Sequence, residues 1–67
     1  MKHYEVIGGI GGRLSVEDSV RNVGQSIMVA TLKTGKLAVE FRGDNLGEIL
    51  DKTTRYTSCT EIKRIED

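Results

Sequence analysis

A mainly β fold is predicted by three features of this sequence. Two apolar runs flank Thr34-Gly35, strand-prone segments stand near both ends, and glycine replaces proline as the turn-former. The expected architecture is a small curved antiparallel sheet, or an SH3- or OB-like barrel, of about four to five short strands. A short helix near 16–23 is a further expected element.

Lys2 to Ile7 (KHYEVI) reads as the first strand, with Tyr4 and Val6 on one face and His3, Glu5 and Ile7 on the other. Gly8-Gly9-Ile10-Gly11-Gly12 interrupts regular structure, because glycine weakens helix and strand alike. A loop or a bent strand corner is expected there. A phosphate-cradling loop is not, since Leu14 stands where the dinucleotide fingerprint starting at Gly9 needs glycine or alanine. Gly35-Lys36 is followed by Leu37 rather than Ser or Thr, so it is no phosphate loop either.

From Ser15 to Gly24 two readings compete. Ser15 can cap a helix over 16–23, with Glu17 and Asp18 in its first turn, Val16, Val20 and Val23 at helical spacing, and Gly24 closing it. The competitor is a strand over Arg13–Glu17 followed by a turn. Ile27 to Arg42 (IMVATLKTGKLAVEFR) is the clearest element, a hairpin with its loop at Thr34-Gly35. Pairing across that loop sets Leu32 against Leu37, Ala30 against Val39 and Met28 against Phe41 on one face. Thr31 with Ala38, Val29 with Glu40, Ile27 with Arg42, and Lys33 with Lys36 take the other.

Gly43-Asp44-Asn45 marks a turn. Leu46 to Lys52 is ambiguous: Asn45 and Glu48 resemble a helix-capping pair, and Leu46, Ile49 and Leu50 share a helical face. Gly47 and the strand-prone Thr53-Thr54-Arg55-Tyr56-Thr57 that follow tip the reading towards a strand. Thr60 to Ile65 is the last strand, with Ile62 and Ile65 on opposite faces. There is no linker, repeat or low-complexity tract, so residues 1–67 read as one small β domain.

Composition narrows the function classes. The apolar share of 37%, with one Phe and two Tyr, makes a thin core. A single core of this size supplies about 3–5 kcal/mol at most, and the lone Cys59 forms no intrachain disulfide. Homo-oligomerisation is the expected source of further buried area. Ten basic and ten acidic residues cancel, which argues against binding driven by bulk phosphate attraction. MKHYEVIGG lacks a signal-peptide core and no apolar run reaches membrane-spanning length, so the expected location is the cytoplasm, away from membranes.

No catalytic or metal constellation is expected. His3 is the only histidine and sits near a strand start. Cys59 reads as a small apolar residue, and one His, one Cys and scattered carboxylates make no spaced ligand set. Glu17 and Asp18 are sequence neighbours that diverge on a strand or serve a helix start. No cofactor is implied. Lys33 and Lys36 at the hairpin tip, with Arg55, Tyr56 and Lys63, form the candidate ligand or nucleic-acid surface: cations around a base-stacking ring. Glu61, Glu66 and Asp67 interleave with this basic third, as on an ordinary solvated surface. A free sheet edge is a second candidate, because its backbone groups can accept a partner strand.

Gly24-Gln-x-Ile27, Thr31-Leu-x-Thr-Gly35 and Phe41, followed by Arg55-Tyr56-Thr57-Ser58-Cys59-Thr60-Glu61-Ile62, resemble small uncharacterised β-rich accessory proteins of bacterial viruses. The resemblance covers residues 24–65 and concerns strands and turns, so it carries no site residue. It implies a phage accessory protein that binds or inhibits a host component. The sequence thus leads to a non-enzymatic interaction module, homo-oligomeric, with a protein or small-ligand partner. A small barrel binding single-stranded nucleic acid or a nucleotide is the alternative.

Overall fold

The structure, a computed structural model, describes residues 1–21 and 25–65, with side chains described for 1–18 and 27–65. The chain is mainly β. Strands β1 (Lys2–Ile7), β2 (Gly12–Arg21), β3 (Gln25–Thr34) and β4 (Leu37–Gly43) precede helix α1 (Leu46–Thr57) and strand β5 (Glu61–Ile65). All five strands pair antiparallel in one sheet of order β4-β3-β2-β1-β5. The sheet does not close: β4 and β5 are its edges, so of the two expected architectures the open antiparallel sheet is the one found.

Strand alternation sorts the side chains into two faces. Tyr4 and Val6 of β1, Leu14 and Val16 of β2, and Ala30 and Leu32 of β3 are buried on one face, with Ile49 of α1 completing the core. Met28, Val39, Phe41, Leu46, Leu50, Cys59 and Ile62 surround it, partly buried. Burial of this apolar face under one helix is the main stabilising term.

The β3–β4 hairpin keeps the expected face assignment but not the expected pairs. Thr34 pairs with Leu37, Leu32 with Val39, Ala30 with Phe41, and Met28 with Gly43. On the other side Lys33 meets Ala38 and Thr31 meets Glu40. The loop is Gly35-Lys36, one residue later than expected. Gly35 has φ 57°, the left-handed value that a two-residue hairpin loop needs at its first position. β-branched Thr34 stays in the strand. A one-residue move of the loop shifts the pairing by two, so every residue keeps its face.

Two other expectations are corrected. Residues 16–21 belong to strand β2, not to a helix, and Ser15 is a mid-strand residue opposite His3 and Thr31 rather than a cap. Leu14 and Val16 alternate into the core, and three antiparallel strands supply hydrogen bonds that an eight-residue valine helix could not match. Gly24 lies outside the described residues.

Residues 46–57 form a helix, the alternative reading of 46–52, and not the strand towards which the sequence tips. Asn45 caps it, accepting the Glu48 amide at 2.9 Å, and the Asp44 amide donates to Glu48 Oε2 at 3.1 Å. The Asp44 amide and then Lys52 beside it hold the Glu48 carboxyl below its ordinary value of 4.5. Glu48–Lys52 and Asp51–Arg55 pair one turn apart, at 3.4 and 3.2 Å. The threonines that suggested a strand adapt to the helix: Thr53, Thr54 and Thr57 each donate a hydroxyl to the carbonyl four residues back, all at 2.8 Å. Thr53 and Thr57 are buried with their hydroxyls satisfied.

The glycine run 8–12 receives the helix end. Gly11 N–H bonds Gly8 C=O at 3.0 Å, closing a tight turn, and Ile10 N–H bonds Thr57 C=O at 3.1 Å. Gly9, at φ 58°, lies so close that an added Cβ would overlap the Thr57 carbonyl oxygen. Thr34 Oγ1 donates to Ile10 C=O at 3.1 Å, which ties the hairpin tip to the same turn.

Candidate binding surface on the open sheet face

Helix α1 covers one face, and among the described residues the other face of the sheet carries no second layer. Its residues line up in rows across the strands. One row runs Ala38, Lys33, Arg13, Glu5, Lys63 from β4 to β5. The next runs Glu40, Thr31, Ser15, His3, Ile65. A third holds Arg42, Val29 and Glu17.

Arg13 and Lys33 stand directly opposite one another on neighbouring strands. Like charges in that relation destabilise a sheet, and Glu5, opposite Arg13 on its other side, offsets part of the positive potential. Beside them His3, Ser15 and Ile65 complete a depression of about 330 Å³ lined by Arg13 and Lys33. Ser15 and His3 are half-buried, whereas Arg13 and Lys33 are exposed. The depression can offer cationic and hydroxyl hydrogen-bond donors to an anionic group, with Ile65 as an apolar rim.

The five residues singled out from sequence do not converge. Lys33 and Lys63 share a row on the open face, separated by Arg13 and Glu5. Lys36 sits in the hairpin loop. Arg55 and Tyr56 belong to α1, on the opposite side of the sheet. There Arg55 pairs with Asp51, and the Tyr56 ring packs edge-on against Phe41 with centroids 5.7 Å apart. The ring intended for base stacking therefore serves the helix–sheet contact and is far from Lys33 and Lys63. Arg13, Ser15 and His3 were missed because their convergence depends on reading 12–21 as a strand; alternation would then have placed 13 and 15 beside 3 and 5.

Among the described residues no buried side-chain nitrogen or oxygen lacks a hydrogen-bond partner, and no group of three or more His, Cys, Asp and Glu is placed to hold a metal. No described helix is long and apolar enough to cross a membrane. No known protein family, curated protein or solved structure matches this chain. What the fold defines is a class: an open-faced protein of one five-stranded antiparallel sheet with a single covering helix.

Proposed function

We propose that this protein is a non-enzymatic, homo-oligomeric interaction module whose open sheet face takes an extended acidic segment of a protein partner. The observation that supports this reading most is the Arg13–Lys33 pair, two cations set side by side at the rim of the 330 Å³ depression. Glu5 stands opposite Arg13 on β1 and offsets part of this charge, which leaves Lys33 as the cation with no carboxylate directly opposite it for an acidic partner to meet. Ser15 in the adjoining row adds a hydroxyl to the same spot, with His3 beside it in the lining. A phage accessory protein that engages a host component, the role the sequence resemblance implies, would use such a face.

Nucleic acid is the weaker reading. Single-strand binders stack bases on aromatic rings, and Tyr4 and Phe41 point to the helix side while Tyr56 lies on the helix itself. The test is an NMR amide titration with an oligoglutamate peptide and, in parallel, a single-stranded oligonucleotide of equal charge. The expected result is shifts at His3, Arg13, Ser15 and Lys33 with the peptide, weakened by salt and lost in an Arg13→Glu/Lys33→Glu variant. Stronger binding of the oligonucleotide at this face would transfer the reading to nucleic acid. Absence of shifts there with both probes would overturn it.

A further inference from the structure

The oligomeric half of that reading can be given an interface. We infer that a second copy of this chain pairs with the free edge of β4, antiparallel about a twofold axis at Val39, to form a ten-stranded sheet.

The backbone selects the edge and the register. In a two-residue hairpin the loop-flanking pair, Thr34 and Leu37, is hydrogen-bonded, and bonding alternates along the ladder. Leu37, Val39 and Phe41 therefore direct their amides and carbonyls to β3, while Ala38, Glu40 and Arg42 direct theirs outward. Arg42 is not available: Lys52 Nζ of α1 donates to its carbonyl at 2.6 Å. Arg42 keeps its outward amide alone, so the β4 residues with both outward groups left are Ala38 and Glu40. A twofold axis at Val39 sets each of these against the other in the second copy, giving four hydrogen bonds. An axis at Glu40 would oppose two glutamates, and an axis at Phe41 would need the carbonyl that Lys52 holds.

The side chains on the helix side of the sheet agree with this register. Leu37, 62% exposed, falls opposite Phe41 of the second copy, beside Tyr56, itself 46% exposed. Val39 meets Val39 on the axis. On the open face Glu40, which already pairs with Arg42 at 3.0 Å, comes diagonal to both Lys36 and Glu40 of the second copy, and Arg42 falls opposite Lys36, so the charges of this face do not select the register. The other edge is blunted: β5 is five residues long and carries Glu61, Lys63 and Arg64.

The experiment combines sedimentation equilibrium of the full chain with cysteine cross-linking. Wild type is expected at twice its 7.4 kDa chain mass at micromolar concentration. Leu37→Lys, at an exposed site, and Ala38→Pro, which removes an outward donor without touching the β3–β4 ladder, are each expected to raise the dissociation constant by about tenfold or more. In a Cys59→Ser background, Val39→Cys is expected to form an interchain disulfide. Directly opposed residues of a non-hydrogen-bonded pair lie about 4.5 Å apart at Cα, within disulfide reach. Glu40→Cys and Phe41→Cys should not cross-link. A monomer at all concentrations, or cross-linking favoured at 40 or 41, would overturn the inference. Its failure is separable from failure of the acidic-segment reading, because the Arg13→Glu/Lys33→Glu variant should remain dimeric and Ala38→Pro should still bind oligoglutamate.

Discussion

At the residue scale, single groups at the two ends of α1 decide how the helix is anchored. Glu48 is exposed and accepts the Asp44 amide, with Lys52 beside it, so its folded-state pKa lies below 4.5. A carboxyl of lowered pKa adds stability that is fully present above its unfolded value and is lost as pH falls through the folded one. Urea unfolding of wild type and Glu48→Gln should therefore differ most at about pH 7, wild type being the more stable, and the difference should shrink as the pH falls below 4.5. At the other end Ser58 has φ 55°, the left-handed conformation that glycine adopts without strain. Ser58→Gly should stabilise the protein by about 0.5–1 kcal/mol, read as a raised thermal midpoint, since relief of strain exceeds the added unfolded-state entropy.

At the scale of elements, what could be read in advance tracks how local each signal is. β1 and the face pattern of the hairpin were legible because alternation and a loop glycine agree within a few residues. The pairing register was not, since Thr34-Gly35 and Gly35-Lys36 are both acceptable loops, and only the φ of Gly35 separates them. α1 was misread although Asn45, Glu48, Lys52, Asp51 and Arg55 marked it. Gly47 and intrinsic threonine preference outweigh the Asn45–Glu48 cap in the sequence reading, which makes no use of the pairs one turn apart, yet the Thr53, Thr54 and Thr57 hydroxyls bond back to the helix. β2 failed in the opposite sense: a helical spacing of valines concealed a ten-residue strand that neighbours on both sides hold in place. Ile49, the fully buried residue that α1 contributes to the core, gives a direct test of this arrangement. Ile49→Ala should cost about 2–5 kcal/mol, comparable with all a core of this size provides, and leave the chain largely unfolded by circular dichroism. Ile49→Val should cost about 0.5–1.5 kcal/mol and remain folded.

At the scale of the whole molecule, one helix covers one face and leaves two edges and the other face to solvent. The candidate site was only partly legible for this reason. Lys33 could be found from the hairpin alone, but its neighbour Arg13 comes from a strand that had to be recognised first, and His3 joins them only through the β1–β2 register. Arg55 and Tyr56 were grouped with them by proximity in composition, whereas the sheet lies between. If two copies share the β4 edge, folding and association are linked, and the thermal midpoint should rise with protein concentration. Ala38→Pro should flatten that dependence, which differential scanning calorimetry over a range of concentrations would show.

The position of β5 bears on the order in which the molecule is built. β1 to β4 pair with their sequence neighbours, so each of these ladders closes a short loop. β5 instead joins β1, and Thr60 meets the Ile7 carbonyl across 53 residues of chain. Closing so long a loop is entropically the most expensive step of assembly, and contacts of that separation form late. Until they form, β1 presents a bare edge. Native-state hydrogen exchange should find the β5 amides opening at lower free energy than those of β2 and β3, with the last strand to arrive the first to leave.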